Sequence, residues 1–513
     1  MIVSPFAILT STARRMHALG KAIRHRGARF AALGTLFLFA GCLSFDGESP
    51  LVPLSMPGSE PGPTATLAAE EAIGSREHPR ILDAFGGIYE DPELETRLVA
   101  MLRQVIAASD DPGRVYRLTL LDSATVNAFA LPGGYLYVTR GLLALANDES
   151  EVAAVVAHEI GHVTMRHAIA REQEVRTAAL IDRVLTDVLS DPSAAQMAVL
   201  ANGVSLAQFN QNQELEADEL GVRTIGRAGY DPFAAARFLD TMSRFHALES
   251  LPGDGDGPSF LSSHPSTPAR VDGAMRLARQ FGAPGIGTRE RERYLAAIDG
   301  IEFGEPADEG VVRGRRFLHA ALGIAFEAPA GFRLDNTPQA VLGAHDDGRA
   351  LRFDAVELRR GQDLSEYLQS GWIEGLDASS IELATTNGLQ LATANAAAGN
   401  WRFKVAVIKV DDQVYRFIFA NSEHSDAFDA LAQSVVASFR RMSADERNGI
   451  EPLRIQVVEV RSGQSVAALA RRMDSGGDAE ALFRVINGLG PGDRVRAGDQ
   501  VKLVVEQAGG PRT

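Results

Sequence analysis

The chain has 513 residues, with 51 Lys and Arg against 66 Asp and Glu, a formal net charge of -15. That length exceeds what one hydrophobic core serves, and roughly 150 residues per unit suggests about three folded units. Apolar residues make up 45% and charged residues 23%, which excludes a wholly disordered or polytopic membrane chain, and the acidic balance argues against nucleic acid as a partner.

The N-terminal stretch departs from the rest. Arg14, Arg15, Lys21, Arg24, Arg26 and Arg29 precede an apolar run from Phe30 to Gly41, and polar, proline-rich sequence follows Cys42. This is the layout of an export signal, and the apolar run is about half the ~20 residues a spanning helix needs. The ending Phe39-Ala40-Gly41-Cys42 resembles a bacterial lipoprotein signal. The resemblance implies a signal peptide over 1–42, lipidation of Cys42 and a periplasmic protein anchored to the outer membrane; Ser44 is compatible with that sorting. Cys42 is the only cysteine, so no disulfide forms within the chain. Residues 43–75, with Pro50, Pro53, Pro57, Pro61 and Pro63 among small polar residues, read as a flexible linker.

A mainly helical unit is expected over 76–295, broken by the alternating segment Ala128 to Thr139 around Pro132-Gly133-Gly134, and containing a Gly/Asp/Pro-rich loop from Pro252 to Ser259. Asp148 can cap a helix there, with Glu151 at the capping-box position and Val152, Val155, Val156, Ile160 and Val163 on its buried face. On this helix lies His158-Glu159-Ile160-Gly161-His162. Four residues make about one turn, so both imidazoles project from one face and can reach one ion at ~2.0–2.1 Å. Glu159 beside them can take a proton from metal-bound water as it attacks a carbonyl, then deliver it to the leaving amine.

A third ligand is needed. Metzincins place a histidine where this chain has Ala168, and His167, one residue short, suits a role behind the ligands. The better candidate is Glu214 in Gln213-Glu214-Leu215-Glu216-Ala217-Asp218-Glu219-Leu220-Gly221, with Asp218 one turn on able to fix the tautomer of a ligand histidine. Glu216 and Glu219 read as solvated helix charges.

The HEIGH and ELEAD segments, the Asn127-Ala128-Phe129-Ala130-Leu131-Pro132-Gly133-Gly134 stretch and the later Ser263-His264-Pro265 with Arg270 together resemble metallopeptidase family forty-eight, across roughly residues 76 to 290. The resemblance implies one Zn2+ held by His158, His162 and Glu214, a catalytic base at Glu159, and Asp218 orienting a ligand. It implies that Asn127, Ala128, Phe129 and Ala130 form an edge strand to which an extended substrate adds; a plain core strand is the alternative. His264 and Arg270 would sit beside the zinc and donate to the oxyanion, or His264 would occupy the open zinc position and hold the enzyme latent. The family's membrane hairpins are missing here, so prenylated peptides are not expected substrates.

Beyond about Gly310 the texture changes to strands: Ile324-Ala325-Phe326, Leu351-Arg352-Phe353, Phe403 to Val410 and Gln413 to Phe419 across a turn at Asp411-Asp412, closed by a helix from Ser425 to Phe439. This unit, 310–443, resembles the PsbP/Mog1-like α+β fold. The last unit, 452–506, reads as strand, helix, helix, strand and resembles a LysM module through Leu469-Ala470, Asn487 and the Gly498 turn, which implies peptidoglycan binding.

The expected fold class is thus multidomain α+β: a mainly α-helical zincin metalloprotease domain with a small edge-strand sheet, then the PsbP/Mog1-like domain, then the βααβ LysM-like module. The expected function is a zinc-dependent endopeptidase of the bacterial envelope that cuts misfolded or unassembled proteins. A peptidoglycan-tethered scaffold or chaperone with a latent or structural zinc site is the competing reading.

Overall fold

The computed structural model describes residues 63–171, 174–175, 192–249, 264–265, 267–306, 309–337, 340–345, 347–359, 361–422, 425–474 and 478–506. The expected signal peptide, Cys42 and the loop from Pro252 to Ser259 lie outside the described residues. No helix among the described residues is long and apolar enough to cross a membrane.

The expected linker ends earlier than its prolines suggested. Residues 63–75 form the first half of helix α1 (Pro63–Ala84). Ala68, Ala69, Glu70, Glu71 and Ala72 favour helix, and further along Ile81 and Leu82 pack with Phe85 and Phe129 on Leu121, Leu131 and Tyr137. Buried side chains make this segment part of the fold where a proline count alone reads as tether.

Helix α2 (Pro92–Ala108) starts on Asp91, whose side chain accepts from the Leu94 amide. A three-stranded sheet follows, β1 (Arg117–Leu121), β2 (Ala128–Leu131) and β3 (Tyr135–Thr139), in the order β1-β3-β2. Strands β2 and β3 are an antiparallel hairpin with Leu131 opposite Tyr135. Gly133 and Gly134 turn it with φ of 88° and 82°, a region open to glycine at no steric cost. Short helix α3 (Arg140–Leu145) leads into α4 (Glu149–Thr164), and then come α5 (Pro192–Arg227), α6 (Ala234–Glu249), α7 (Pro268–Ala278), α8 (Arg291–Ile298) and a short strand β4 (Glu302–Phe303).

The chain next builds a separate α+β domain. Strands β5 (Val311–Arg313), β6 (Arg316–His319) and β7 (Ile324–Glu327) belong to a four-stranded sheet. Strands β8 (Arg333–Thr337), β9 (Ala340–Ala344), β10 (Ala350–Glu357), β11 (Leu376–Thr386), β12 (Leu389–Ala398), β13 (Trp401–Val410) and β14 (Gln413–Asn421) form a seven-stranded one, in the order β11-β12-β13-β14-β10-β9-β8. Phe317, Phe326, Phe353 and Phe417 close the space between them, with ring centroids 4.7 Å apart for the last pair. The closing helix α9 (Asp426–Ser438) is capped by Ser425, and Arg440–Arg441 adds strand β15 beside β7.

The C-terminal segment has the expected order of strand β16 (Leu453–Glu459), helices α10 (Val466–Ala470) and α11 (Ala479–Ile486), and strand β17 (Gln500–Glu506). It is not an independent bead. Leu453 and Arg454 of β16 pair antiparallel with Phe303 and Glu302 of β4. Ile455, Leu469, Phe483, Ile486 and Leu503 join one hydrophobic core with Leu142, Val152, Phe238 and Leu295. The α+β domain is therefore an insertion between two parts of one body, while its own two cores are separate from that body's.

Candidate metal centre

The metal-binding candidates come from two helices that cross closely. A Cβ on Gly161 of α4 would lie 3.4 Å from the Ala217 Cα, and one on Gly221 of α5 would lie 3.2 Å from the His158 amide nitrogen. Two glycines thus let the backbones approach, and this brings the Glu214 carboxylate to the two histidines. Helix α4 starts where expected: Asp148 accepts from the Glu151 amide at 3.1 Å. The Glu151 carboxylate reaches one residue further back than a capping box would, to the Asn147 amide at 2.8 Å.

His158, His162, Glu214 and His264 each offer a ligand atom, all within 4.8 Å of one another. His158 Nε2 and His162 Nε2 are 3.0 Å apart. Glu214 Oε2 is 3.5 Å from the first and Oε1 is 3.5 Å from the second. His264 Nδ1 is 3.0 Å from both Glu214 oxygens and 3.4 Å from His158 Nε2. Glu159 is buried beside them, its Oε1 3.6 Å from His264 Nε2 and without a hydrogen-bond donor among the described residues.

Neighbouring carboxylates dictate the tautomers. Asp218 Oδ1 lies 3.0 Å from His158 Nδ1; a carboxylate only accepts, so Nδ1 carries the hydrogen and Nε2 keeps its lone pair. A second chain does the same for His162. Glu216 Oε2 lies 3.2 Å from His167 Nε2, and His167 Nδ1 lies 2.8 Å from His162 Nδ1. Glu216 fixes the hydrogen on His167 Nε2, so His167 Nδ1 accepts from His162, whose Nε2 lone pair then faces that of His158. Two lone pairs and a carboxylate converging on one point repel unless a cation lies between them, so the donor set fits a divalent metal ion.

Electrostatics agrees. Burial, then the neighbouring His158 and His264, drive the His162 pKa well below its usual value, which keeps it a neutral ligand. Burial opposes the charged form of His158, but Asp218 and Glu214 outweigh it and lift His158 to about 9, so without a metal a proton on Nε2 stands where the cation would, and metal binding displaces it. Glu214 is buried too, and the facing His264 and His158 hold it well below the usual carboxylate range. Burial raises Glu159, against the pull of His264 and His158, in the direction a proton carrier near neutral pH requires.

Arg270, expected to donate to the oxyanion, is engaged here with carboxylates. Its Nε and Nη2 donate to the two Asp218 oxygens at 2.7 Å each, and its Nη1 lies 3.0 Å from Glu214 Oε2 and 3.1 Å from the Pro265 carbonyl. Four of its five N–H groups are thus committed to holding carboxylates and the chain beside His264, so it orients Glu214 and Asp218. Glu216 is the other correction: its side chain is exposed, yet it partners His167 and is no idle surface charge. Glu219 behaves as read, exposed and 3.7 Å from Arg223. Asn127 is buried just ahead of β2, its amide donating to Thr139 Oγ1 at 3.0 Å, and Ala128 to Ala130 lie on the edge strand of the sheet beside α4.

This fold and site define a metalloendopeptidase. The sequence profile of Peptidase family M48 matches residues 92–277, the stretch that carries His158, His162, Glu214 and His264. A relative from Vibrio cholerae is 28% identical over 302 residues, 56% of this chain and 61% of its own length. The beta-barrel assembly-enhancing protease of Yersinia pestis is 29% identical over 402 residues, 74% of this chain and 79% of its own. Among solved structures, cyanobacterial PsbP from Synechocystis is matched over 27% of this chain and 98% of that one, at 15% identity and a TM-score of 0.21, too low to bear on the fold.

Proposed function

We propose that this chain is a zinc-dependent endopeptidase of the bacterial cell envelope that cuts misfolded or unassembled proteins, including those bound for β-barrel assembly. The observation that carries the reading is the convergence of His158 Nε2, His162 Nε2 and the Glu214 carboxylate beside a buried, donor-free Glu159 oxygen. Zn2+, when bound by these three, supplies Lewis acidity toward a water and a peptide carbonyl. Glu159 takes the proton from the attacking water and returns it to the leaving amine. Asp218 and His167 hold the ligand imidazoles in their Nδ1–H forms, and Arg270 holds the two carboxylates. The free edge of β2 receives an extended peptide by backbone pairing, which tolerates varied sequences and suits unfolded substrates.

His264 supports a second state of the same enzyme. Its Nδ1 lies within the four-donor group, so it can fill the fourth metal position and keep the enzyme latent until displaced. The test is functional: His264→Ala raises cleavage if the histidine is a latch and lowers it if the histidine donates to the oxyanion.

Export, a lipid anchor at Cys42 and peptidoglycan binding by a LysM-like C-terminal unit belong to the same reading; the strand-helix-helix-strand order supports the last of them. The deciding experiment compares zinc content and casein cleavage of the chain from Leu43 onward with its Glu159→Gln variant. One zinc in both with cleavage falling on the order of 10²–10⁴-fold in the variant is expected. Equal activity in both would sink the proposal, and zinc in both with cleavage by neither would favour the scaffold.

A further inference from the structure

The last strand of the chain reaches the start of the metal-binding helix. Helix α3 ends at Leu145, and the link Ala146-Asn147-Asp148 turns directly into α4, which carries His158, Glu159 and His162. A helix end leaves its last carbonyls without partners, and in a buried place those must be met from outside. Here the Leu142 carbonyl accepts from the Ala146 amide. The Leu143 carbonyl accepts from Tyr294 Oη at 2.6 Å. The next three, of Ala144, Leu145 and Ala146, accept from a single group: Lys502 Nζ, at 2.9, 2.8 and 2.7 Å. The Asn147 carbonyl accepts from Arg291 Nη1, whose Nη2 also donates to the Gln500 carbonyl on the same strand as Lys502.

Lys502 is fully buried. An ammonium has three N–H donors, and each finds one carbonyl, a match that a neutral amine with two hydrogens cannot make. Burial, then the nearby Arg291, push the Lys502 pKa down, with Glu151 and Asp148 opposing them, and the three carbonyls at the negative end of α3 are what hold the ammonium form in place. The strand holding Lys502 is itself fixed: Asn487 Oδ1 accepts from the Lys502 amide at 2.7 Å and Asn487 Nδ2 donates to its carbonyl at 3.0 Å. The rim is also tied, since Arg244 of α6 donates to the Leu489 carbonyl at 2.7 Å.

We propose that Lys502 is a positioning residue for peptide hydrolysis: by gathering the carbonyls of Ala144, Leu145 and Ala146, the C-terminal unit sets the angle between the substrate-edge sheet and the helix that carries His158, Glu159 and His162. Strand β3 feeds α3, and α3 feeds α4, so this junction is the covalent hinge between the two halves of the active site. The C-terminal unit is then a working part of the catalytic body in addition to the peptidoglycan binder proposed above. This rests on the peptidase reading of the metal centre.

The test uses the full chain from Leu43 onward. Lys502→Met keeps the length and apolar stem but removes the donors. At a temperature well below its unfolding midpoint, the variant is expected to keep its zinc, to lose kcat for casein on the order of 10- to 100-fold with KM within about twofold, and to exchange the Asn147 and Glu151 amides faster. A residue that only stabilises would lower the midpoint and leave kcat and those amides unchanged, and that result overturns the proposal. If the parent itself does not cleave, the peptidase reading fails, and the amide exchange still decides whether Lys502 holds the junction. Should Lys502→Met not fold, a cleavage site placed in the exposed helix Ala444–Asn448 decides: after cutting, a C-terminal fragment that stays bound with activity intact, or leaves and takes activity with it, supports the proposal. A fragment that leaves while activity is unchanged overturns it.

Discussion

Both the metalloprotease body and the inserted α+β domain bury charged side chains, and they do so to opposite ends. In the inserted domain Asp354 of β10 faces its cross-strand partner Arg416 of β14. Its oxygens take Arg416 Nε and Nη2 at 2.5 and 2.8 Å and Arg352 Nε at 3.0 Å. Arg416 goes on to Tyr367 Oη at 3.1 Å and lies 4.7 Å over the Trp372 ring. There the carboxylate is met on both oxygens, and the polar atoms left over, Arg352 Nη2 and Trp372 Nε1, are donors and not acceptors. In the body the acceptors outnumber the donors: two Nε2 lone pairs, the Glu214 oxygens and Glu159 Oε1 converge with too few hydrogens to share. Burial of charge does not by itself mark a site. An uncompensated excess of acceptors does.

The largest effect that would break this contrast is expected at Glu214. Glu214→Gln removes the anionic ligand and several kcal/mol of transition-state stabilisation, so cleavage should fall on the order of 10³-fold or more, with zinc lost on dialysis. Metal retained at full stoichiometry would mean that the acceptor excess serves something else.

Asp354→Ala probes the other side. It leaves Arg352 and Arg416 buried without their anion, at a cost of about 3–5 kcal/mol. Amide exchange in β10 and β14 should quicken, while zinc content and casein cleavage stay at parent levels, because the inserted domain has cores of its own. Loss of both together would show that the two regions are one cooperative unit.

A smaller effect is expected from His167, which acts through His162. His167→Ala should weaken zinc binding about 10- to 100-fold in a chelator competition, with Glu216→Gln moving it in the same direction by less. An unchanged affinity in both would remove the Glu216–His167–His162 relay from the site.

The grouping of His158, His162 and Glu214 was legible in the sequence because it depends on local spacing. Residues 158 and 162 share a helix face whatever surrounds them, and Glu214 and Asp218 repeat that geometry on a second helix. The hairpin at Gly133-Gly134 and the alternating strands of the inserted domain were legible for the same reason. The Glu216–His167 pair was not, because it needs a reversal of the chain after α4, where Arg166 takes a φ of 56°. The docking of the C-terminal unit was hidden by distance: Lys502 and Ala144 are 358 residues apart, and a lysine in a strand reads as a solvent-facing residue. Its one faint sign is its place between Val501 and Leu503, Val504 and Val505. Helix α1 was obscured by the prolines that run up to it, of which Pro63 is its first residue.

The smallest effect lies where the two regions meet. Glu305 follows β4 at the exit into the inserted domain, and burial, reinforced by the nearby Glu309, pushes its pKa up from 4.5 to about 7. The folded chain therefore favours the protonated acid. Its contribution is fully present below the unfolded value near 4.5, declines as pH rises from there to about 7, and is gone above that. Glu305→Gln mimics the protonated form at every pH. It should leave stability unchanged at pH 4 and raise it by about 1–2 kcal/mol at pH 8, the full displacement being discounted for the solvent that Glu305 still touches. Urea unfolding at the two pH values measures this, and a gain equal at both would place the strain elsewhere than in the carboxylate charge. A gain confined to high pH would mean that the joint between body and insertion loosens as the pH rises through neutrality.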